Sequence, residues 1–162
     1  MVVKSLRPAG HTHAPEQGES YIVYACVYNI NRDGGLEYCV EKKITDGRST
    51  PDTLVFDDAK NFEVVDSHIP DDWKAAELDV KGRQVAAIAS CEAAGNLALA
   101  EKLKKDLETW GENPPRIVAV SFPEMLDYDF FIAVHDDNME AMHHTVLHRY
   151  MKKYEALYAQ YL

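Results

Sequence analysis

Two β-prone segments separated by a glycine-containing turn constrain the fold of this chain more than any other feature. Residues Tyr21–Ile30 and Leu36–Ile44 are both rich in alternating β-branched, aromatic and other apolar side chains. The intervening Arg32-Asp33-Gly34 is typical of a three-residue hairpin loop with glycine in the left-handed position. The sequence therefore predicts an antiparallel hairpin, in a register that places Cys26 opposite Val40.

The predicted register separates apolar from polar side chains on the two faces of the hairpin. Because side chains alternate along a strand, Cys26 and Cys39 then point to opposite faces and cannot form a disulfide. The predicted polar face carries Glu37, Cys39, Glu41 and Lys43. The predicted apolar face carries Ile22, Tyr24, Cys26, Tyr28, Ile30, Leu36, Tyr38, Val40 and Ile44.

The next segments predict an extension of this sheet. Thr53–Phe56 and Phe62–Val65 have the composition of short strands, separated by turn-forming residues. Ile69–Trp73 is typical of the start of a helix, with Asp71 or Asp72 as its N-cap. The region from the hairpin to the tryptophan is therefore expected to form a small curved antiparallel sheet or partial barrel.

The middle of the chain predicts helix. Val85–Trp110 is rich in alanine and leucine with helical spacing, and Gly95-Asn96 interrupts it, so we expect either two helices or one kinked helix. An alternative makes Gln84–Ser90 a strand that enters a βαβ unit. The alanine content of this region argues against that alternative, because alanine is depleted in strands.

The last third of the chain predicts two strands, Ile117–Phe122 and Phe130–Val134, and then one long amphipathic helix from Asp136 to Leu162. The expected fold class is α+β: an antiparallel sheet built from hairpins, with a central helical segment and a long C-terminal helix packed on one face. Residues 1–19, rich in Pro, Gly, His and charge, are expected to be a flexible arm, and residues 20–162 a single domain.

Composition and charge restrict the partners of the protein. A hydrophobic fraction of 46% is that of a globular protein, and no apolar run approaches the ~18 residues needed for a membrane span. A formal net charge of −10 disfavours nucleic acid and favours a basic protein partner. Three cysteines without CxxC spacing indicate neither a disulfide framework nor a closed zinc site. We therefore expect a cytoplasmic protein that does not enter membranes.

Four side chains in the last third suggest a metal site. Glu140, His144 and His148 are spaced four residues apart, which places them on one ridge of the predicted helix, and His135 lies at the end of the preceding strand. Such ligands suit a divalent metal such as zinc. The alternative is that the ridge is a solvated flank of the helix and that no cofactor is bound.

The same predicted helix carries a series of aromatic residues near its end. Tyr154, Leu157, Tyr158 and Tyr161 are interpreted as an exposed stripe that contacts a partner or a second copy of the chain, since tyrosine is enriched at interfaces. The alternative is that these side chains pack into the protein's own core.

Signatures of familiar enzymes are missing from the sequence: it contains no phosphate-binding GxxxxGK[ST] loop, no GxGxxG, no GxSxG and no HExxH. The sequence therefore favours an acidic, non-enzymatic protein that binds another macromolecule, as an inhibitor, an immunity-type or antagonist protein, or an assembly subunit that can oligomerise. The alternatives are a small metal-assisted hydrolase around the four predicted ligands, and a small-molecule-binding domain with a pocket between the sheet and the last helix.

Overall fold

The computed structural model describes residues 1–8, 15–30, 35–42, 53–126 and 152–161. In these ranges it shows an antiparallel sheet of seven strands together with helices, which confirms the predicted α+β class. The strands are β1 (Val2–Ser5), β2 (Ser20–Asn29), β3 (Leu36–Lys42), β4 (Thr53–Asp58), β5 (Phe62–Asp66), β6 (Lys74–Glu77) and β7 (Ile117–Ser121). The helices are α1 (Val80–Ala93), α2 (Leu97–Trp110), the short α3 (Pro123–Leu126) and α4 at residues 152–157.

Strand β2 is the centre of the sheet. On one side it pairs with β3, which pairs in turn with β4. On its other side the first half of β2 pairs with β1 and the second half with β7, and these continue to β5 and β6 respectively. In the strand order β4-β3-β2-β1-β5, strands β4 and β5 lie at opposite ends. Only the 3-10 turn Ala59–Asn61 separates these two strands in sequence. The sheet therefore curls.

The curled sheet buries apolar side chains on both of its faces. One hydrophobic cluster includes the buried side chains of Val3, Val23 and Val40 and draws on all of the first five strands. The other, larger cluster includes Val27 and Cys39 and is completed by β7, α3 and the C-terminal residues. The prediction of one polar hairpin face is therefore wrong, because a second layer covers the face that carries Cys39.

The β2–β3 hairpin is confirmed, but its register differs from the predicted one. Cys26 pairs with Tyr38 instead of Val40, and Ala25 pairs with Cys39. Farther along, Val23 pairs with the next residue of β3, so Tyr24 is an extra residue that forms a β-bulge. Because of this bulge, the consecutive residues Tyr24 and Ala25 both pack into the larger cluster. The predicted loop, residues 32–34, lies outside the described residues.

The first residues of the chain take part in the sheet. Strand β1 pairs with β2 and β5, and Val2 and Val3 are fully buried. Residues 1–8 are therefore part of the folded domain instead of the flexible arm that composition suggested. The short apolar run at Val2-Val3 outweighs the polar, proline- and glycine-containing residues that follow it.

Two helices form the central segment, as expected, and the alternative strand at residues 84–90 is wrong. Asp79 caps α1 by accepting a hydrogen bond from Gly82, and Asn96 caps α2. Gly95 has a φ of +77° between the helices, a conformation that few other residues adopt. Ile88 and Leu103 pack the two helices against each other.

Two further predictions about helices need correction or stay open. Ile69–Trp73 does not begin a helix: a turn at residues 71–72 leads into β6, and Trp73 packs against both hydrophobic clusters. The predicted long helix from Asp136 is not confirmed, because residues 127–151, including the predicted strand Phe130–Val134, lie outside the described residues. The described part is α4, at residues 152–157, followed by a 3-10 turn at Ala159–Tyr161.

Candidate functional site

A cavity of about 490 Å³ lies between the sheet and the C-terminal residues. Its volume is within the range of ligand-binding pockets in proteins, about 300–1,000 Å³. The loop before β2 and the first half of β2 form one side, the end of β3 contributes a side chain, and residues 152–161 form the opposite side. The described lining residues are Glu16, Gly18, Glu19, Ser20, Tyr21, Ile22, Tyr24, Glu41, Glu155 and Tyr161.

The cavity has a strongly one-sided charge. Glu16, Glu19, Glu41 and Glu155 line it, and the described lining residues include no lysine, arginine or histidine. The first two carboxylates are exposed and the other two are half-buried, so all four stay partly hydrated. Carboxylates around a concave surface concentrate negative potential there, which attracts cations.

Backbone hydrogen bonds fix the loop that carries the first two glutamates. Ser5 exchanges two of them with the loop: its N–H donates to the Glu19 carbonyl at 3.0 Å, and its carbonyl accepts from the Gly18 N–H at 2.9 Å. Gly18 has a φ of +81°, in the left-handed region that favours glycine. Strand β1 therefore holds both carboxylates at the edge of the cavity.

Tyrosines form much of the remaining lining. Tyr24 is buried at the bulge of β2, whereas Tyr21 and Tyr161 are half-buried. The Tyr21 hydroxyl accepts a hydrogen bond from the Glu16 N–H at 2.9 Å, and desolvation by burial raises the pKa of this phenol. The lining therefore combines neutral aromatic surface with anionic groups.

The C-terminal side of the cavity is held in place by two buried tyrosines. The Tyr158 hydroxyl donates to the His68 carbonyl at 3.0 Å, and the Tyr154 hydroxyl donates to the Asp72 carboxylate at 2.9 Å. The Tyr154 ring centroid lies 5.2 Å from that of Phe122, inside the larger hydrophobic cluster. These contacts fix the backbone that presents Glu155 to the cavity.

The predicted interface residues are therefore divided between the core and the surface. Tyr154 and Tyr158 are each 3% exposed and belong to the protein's own core, so they do not form an exposed stripe. Leu157 is 56% exposed. Tyr161 lines the cavity, and a hydrogen bond to Asp66 raises the pKa of its phenol. The physical reason is helical geometry: positions 154 and 158 share a face that packs on the sheet, and position 157 lies off that face.

The predicted metal ligands His135, Glu140, His144 and His148 lie outside the described residues, so the metal hypothesis stays a prediction. Within the described ranges, no group of three or more His, Cys, Asp or Glu side chains is arranged to hold a metal ion.

Most of the residues that line the cavity were not predicted as site residues; Tyr161 is the exception, as part of the predicted interface. Glu16, Gly18 and Glu19 fall in the segment interpreted as an arm, and Glu41 was placed on the polar face of the hairpin. A usable signal was the Glu16–Ser20 run, in which two glutamates and a glycine directly precede a strong strand.

Comparisons with known proteins add no assignment: no family model, curated protein or solved structure matches the chain. Among the described residues, no helix is both long enough and apolar enough to cross a membrane.

Proposed function

We propose that this protein is an acidic, non-enzymatic binding protein whose cavity receives a positively charged group of a protein partner. The observation that carries this proposal is the cavity beside β2, where four glutamates and three tyrosines are brought together from separate parts of the chain. An inhibitor, an antagonist or an assembly subunit would each use such a surface.

The net charge of the chain supports a basic partner. At −10, the protein attracts cationic proteins over a distance comparable to the Debye length and repels anionic ones. Two copies of this chain carry charge of the same sign, so electrostatics favour a different, basic protein over self-association. Nucleic acid is disfavoured for the same reason.

The test uses a synthetic lysine-rich peptide and its lysine-acetylated form, titrated calorimetrically into the full chain. We expect the peptide to bind, the acetylated form not to bind, and the affinity to fall as salt is raised from about 50 to about 300 mM, because added ions screen exposed charges.

A pair of charge-matched variants identifies the surface involved. Glu19→Gln with Glu155→Gln removes two carboxylates from the cavity, and Glu108→Gln with Glu112→Gln removes two exposed carboxylates elsewhere. We expect the cavity variant to bind the peptide about tenfold more weakly, at roughly 0.7 kcal/mol per exposed ion pair, and the control variant to bind it normally. Equal weakening by both variants would show attraction by net charge alone and would refute the cavity as the site.

A further inference from the structure

We infer that the cavity recognises an alkylammonium chain, such as a lysine side chain or a free diamine. The inference rests on the proposed function, because it specifies the chemical group that the same cavity receives. The carboxylates and tyrosine rings that line the cavity support it, together with the spacing of those carboxylates.

The positions of the carboxylates favour an extended organic cation. Glu16 and Glu19 lie on the loop before β2, Glu41 lies near the end of β3, and Glu155 lies on α4. They reach the cavity from three separate parts of the fold, and no three acidic, histidine or cysteine side chains among the described residues are arranged to hold an ion. A small inorganic cation requires several oxygen ligands at about 2.0–2.6 Å, whereas an extended organic cation can meet carboxylates at separate points along its length.

The uncharged part of the lining suits the methylene chain of such a cation. Tyr21, Tyr24 and Tyr161 provide aromatic surface and Ile22 provides aliphatic surface within the same cavity. Alkyl chains pack on apolar surface while their ammonium group stays with water and carboxylates, and an ammonium ion is attracted to the face of a tyrosine ring. A cavity of about 490 Å³ has room for a chain of this kind as well as the water that hydrates its charge.

The attachment of the cavity walls makes this site preformed. The Glu16–Glu19 loop is hydrogen-bonded to Ser5, and the C-terminal side is anchored by the buried Tyr158. A ligand therefore does not have to order these segments on binding, which lowers the entropic cost of association.

The experiment titrates cadaverine into the full chain at constant ionic strength and follows the ¹³C-methyl resonances of Ile22, whose side chain lines the cavity. The uncharged analogue 1,5-pentanediol and potassium chloride are titrated separately. We expect saturable shifts of the Ile22 resonances with cadaverine and no comparable shifts with the diol or the salt.

Matched variants separate the carboxylates from the rings. Glu19→Gln with Glu155→Gln is expected to raise the cadaverine dissociation constant about tenfold, and the pair at Glu108 and Glu112 to leave it unchanged. Tyr21→Leu is expected to weaken binding about two- to fivefold by removing a ring from the cavity, since an exposed cation–ring contact contributes roughly 0.5–1 kcal/mol. Tyr28→Leu, on the same strand but outside the cavity lining, is the control for a change of tyrosine on β2.

The outcomes distinguish this inference from the proposed function. If cadaverine shifts the Ile22 resonances no more than potassium chloride does, the inference is overturned, and binding of the lysine-rich peptide through the cavity glutamates would still support the proposed function. If cadaverine binds but the peptide does not, the inference holds with a free amine as ligand, and the proposed protein partner is refuted. Binding of both identifies the lysine side chain of a partner as the source of the ammonium group.

Discussion

Replacing Tyr158 with alanine tests whether the C-terminal segment is core or interface. The Tyr158 side chain is 3% exposed, packs in the larger hydrophobic cluster, and donates a hydrogen bond to the His68 carbonyl. Removing the ring takes away about 150–200 Å² of buried surface, which at about 25 cal/mol per Å² corresponds to about 4–5 kcal/mol. Large-to-small aromatic substitutions in cores cost about 3–5 kcal/mol, so we expect a loss in this range.

Two further substitutions separate the contribution of the Tyr158 hydroxyl from that of its ring and test the adjacent exposed position. Tyr158→Phe keeps the ring and removes the hydroxyl, which donates to the His68 carbonyl and accepts from the Met1 ammonium at 2.6 Å, so it should cost about 2–4 kcal/mol. Leu157→Ala changes the adjacent side chain, which is 56% exposed, and should alter the free energy of unfolding by less than about 0.5 kcal/mol.

Equilibrium urea unfolding, followed by far-ultraviolet circular dichroism, measures all three variants, and light scattering after size exclusion measures their oligomeric state. The assignment of Tyr158 to the core is refuted if Tyr158→Ala lowers the free energy of unfolding by less than about 1 kcal/mol while Leu157→Ala changes the oligomeric state. That result would mean that the segment packs mainly on a partner, as its aromatic sequence suggested.

Three further predictions concern other parts of the molecule. Arg7→Ala removes the guanidinium that donates two hydrogen bonds, at 2.5 and 2.7 Å, to the buried carboxylate of Asp57 on β4. This substitution should cost about 2–4 kcal/mol in urea unfolding, and Arg7→Lys should recover only part of the loss. A cost below that of an exposed ion pair would contradict the prediction. Iodoacetamide at pH 8 should label the half-buried Cys91 well before Cys39, because complete burial raises the pKa of the Cys39 thiol. Mass spectrometry of digests measures the labelling, and equal labelling of the two cysteines would contradict this prediction. If the predicted metal site exists, elemental analysis of protein purified without chelator or affinity tag should find a stoichiometric divalent metal such as zinc. The double substitution His144→Ala with His148→Ala should abolish this bound metal, and a metal content unchanged by the double substitution would exclude the site.

Patterns among neighbouring residues correctly predicted the strands and helices whose formation depends mainly on the local sequence. The β2–β3 hairpin follows from alternation on both sides of a turn, and the α1–α2 pair follows from alanine- and leucine-rich spacing interrupted at Gly95. The predicted register is wrong because the pairing next to the turn is offset by two residues, with Tyr28 opposite Leu36, and the bulge at Tyr24 then shifts it by one more residue without any mark in the sequence. The alternation of apolar and polar side chains indicates which residues form strands, but the register of their pairing depends on the partner strand and on the layers that cover the sheet.

The helix predicted to begin at Ile69–Trp73 failed for a tertiary reason. Asp72 resembles a helix cap, but its carboxylate accepts the hydrogen bond of Tyr154, which is far away in sequence. Trp73 then packs between the two hydrophobic clusters, and the chain continues as β6 beside β7. An aspartate before an aromatic residue serves equally well as a cap or as an acceptor for a distant phenol, so the local sequence alone does not decide between them.

A pocket between the sheet and the last helix was one alternative predicted from the sequence, but most of the residues that line the cavity could not be predicted because they are separated by most of the chain. Glu19 is positioned by the pairing of β1, Tyr24 by the bulge, and Glu155 by the anchoring of α4 through its neighbours Tyr154 and Tyr158. Each feature alone has an ordinary structural explanation: a surface charge, a strand aromatic, a helix flank. These carboxylates are nevertheless held around a common concavity by backbone hydrogen bonds and buried contacts elsewhere. A cation that binds this cavity is expected to make the folded protein more stable, because the cavity exists only in the folded state and binding to that state alone shifts the unfolding equilibrium.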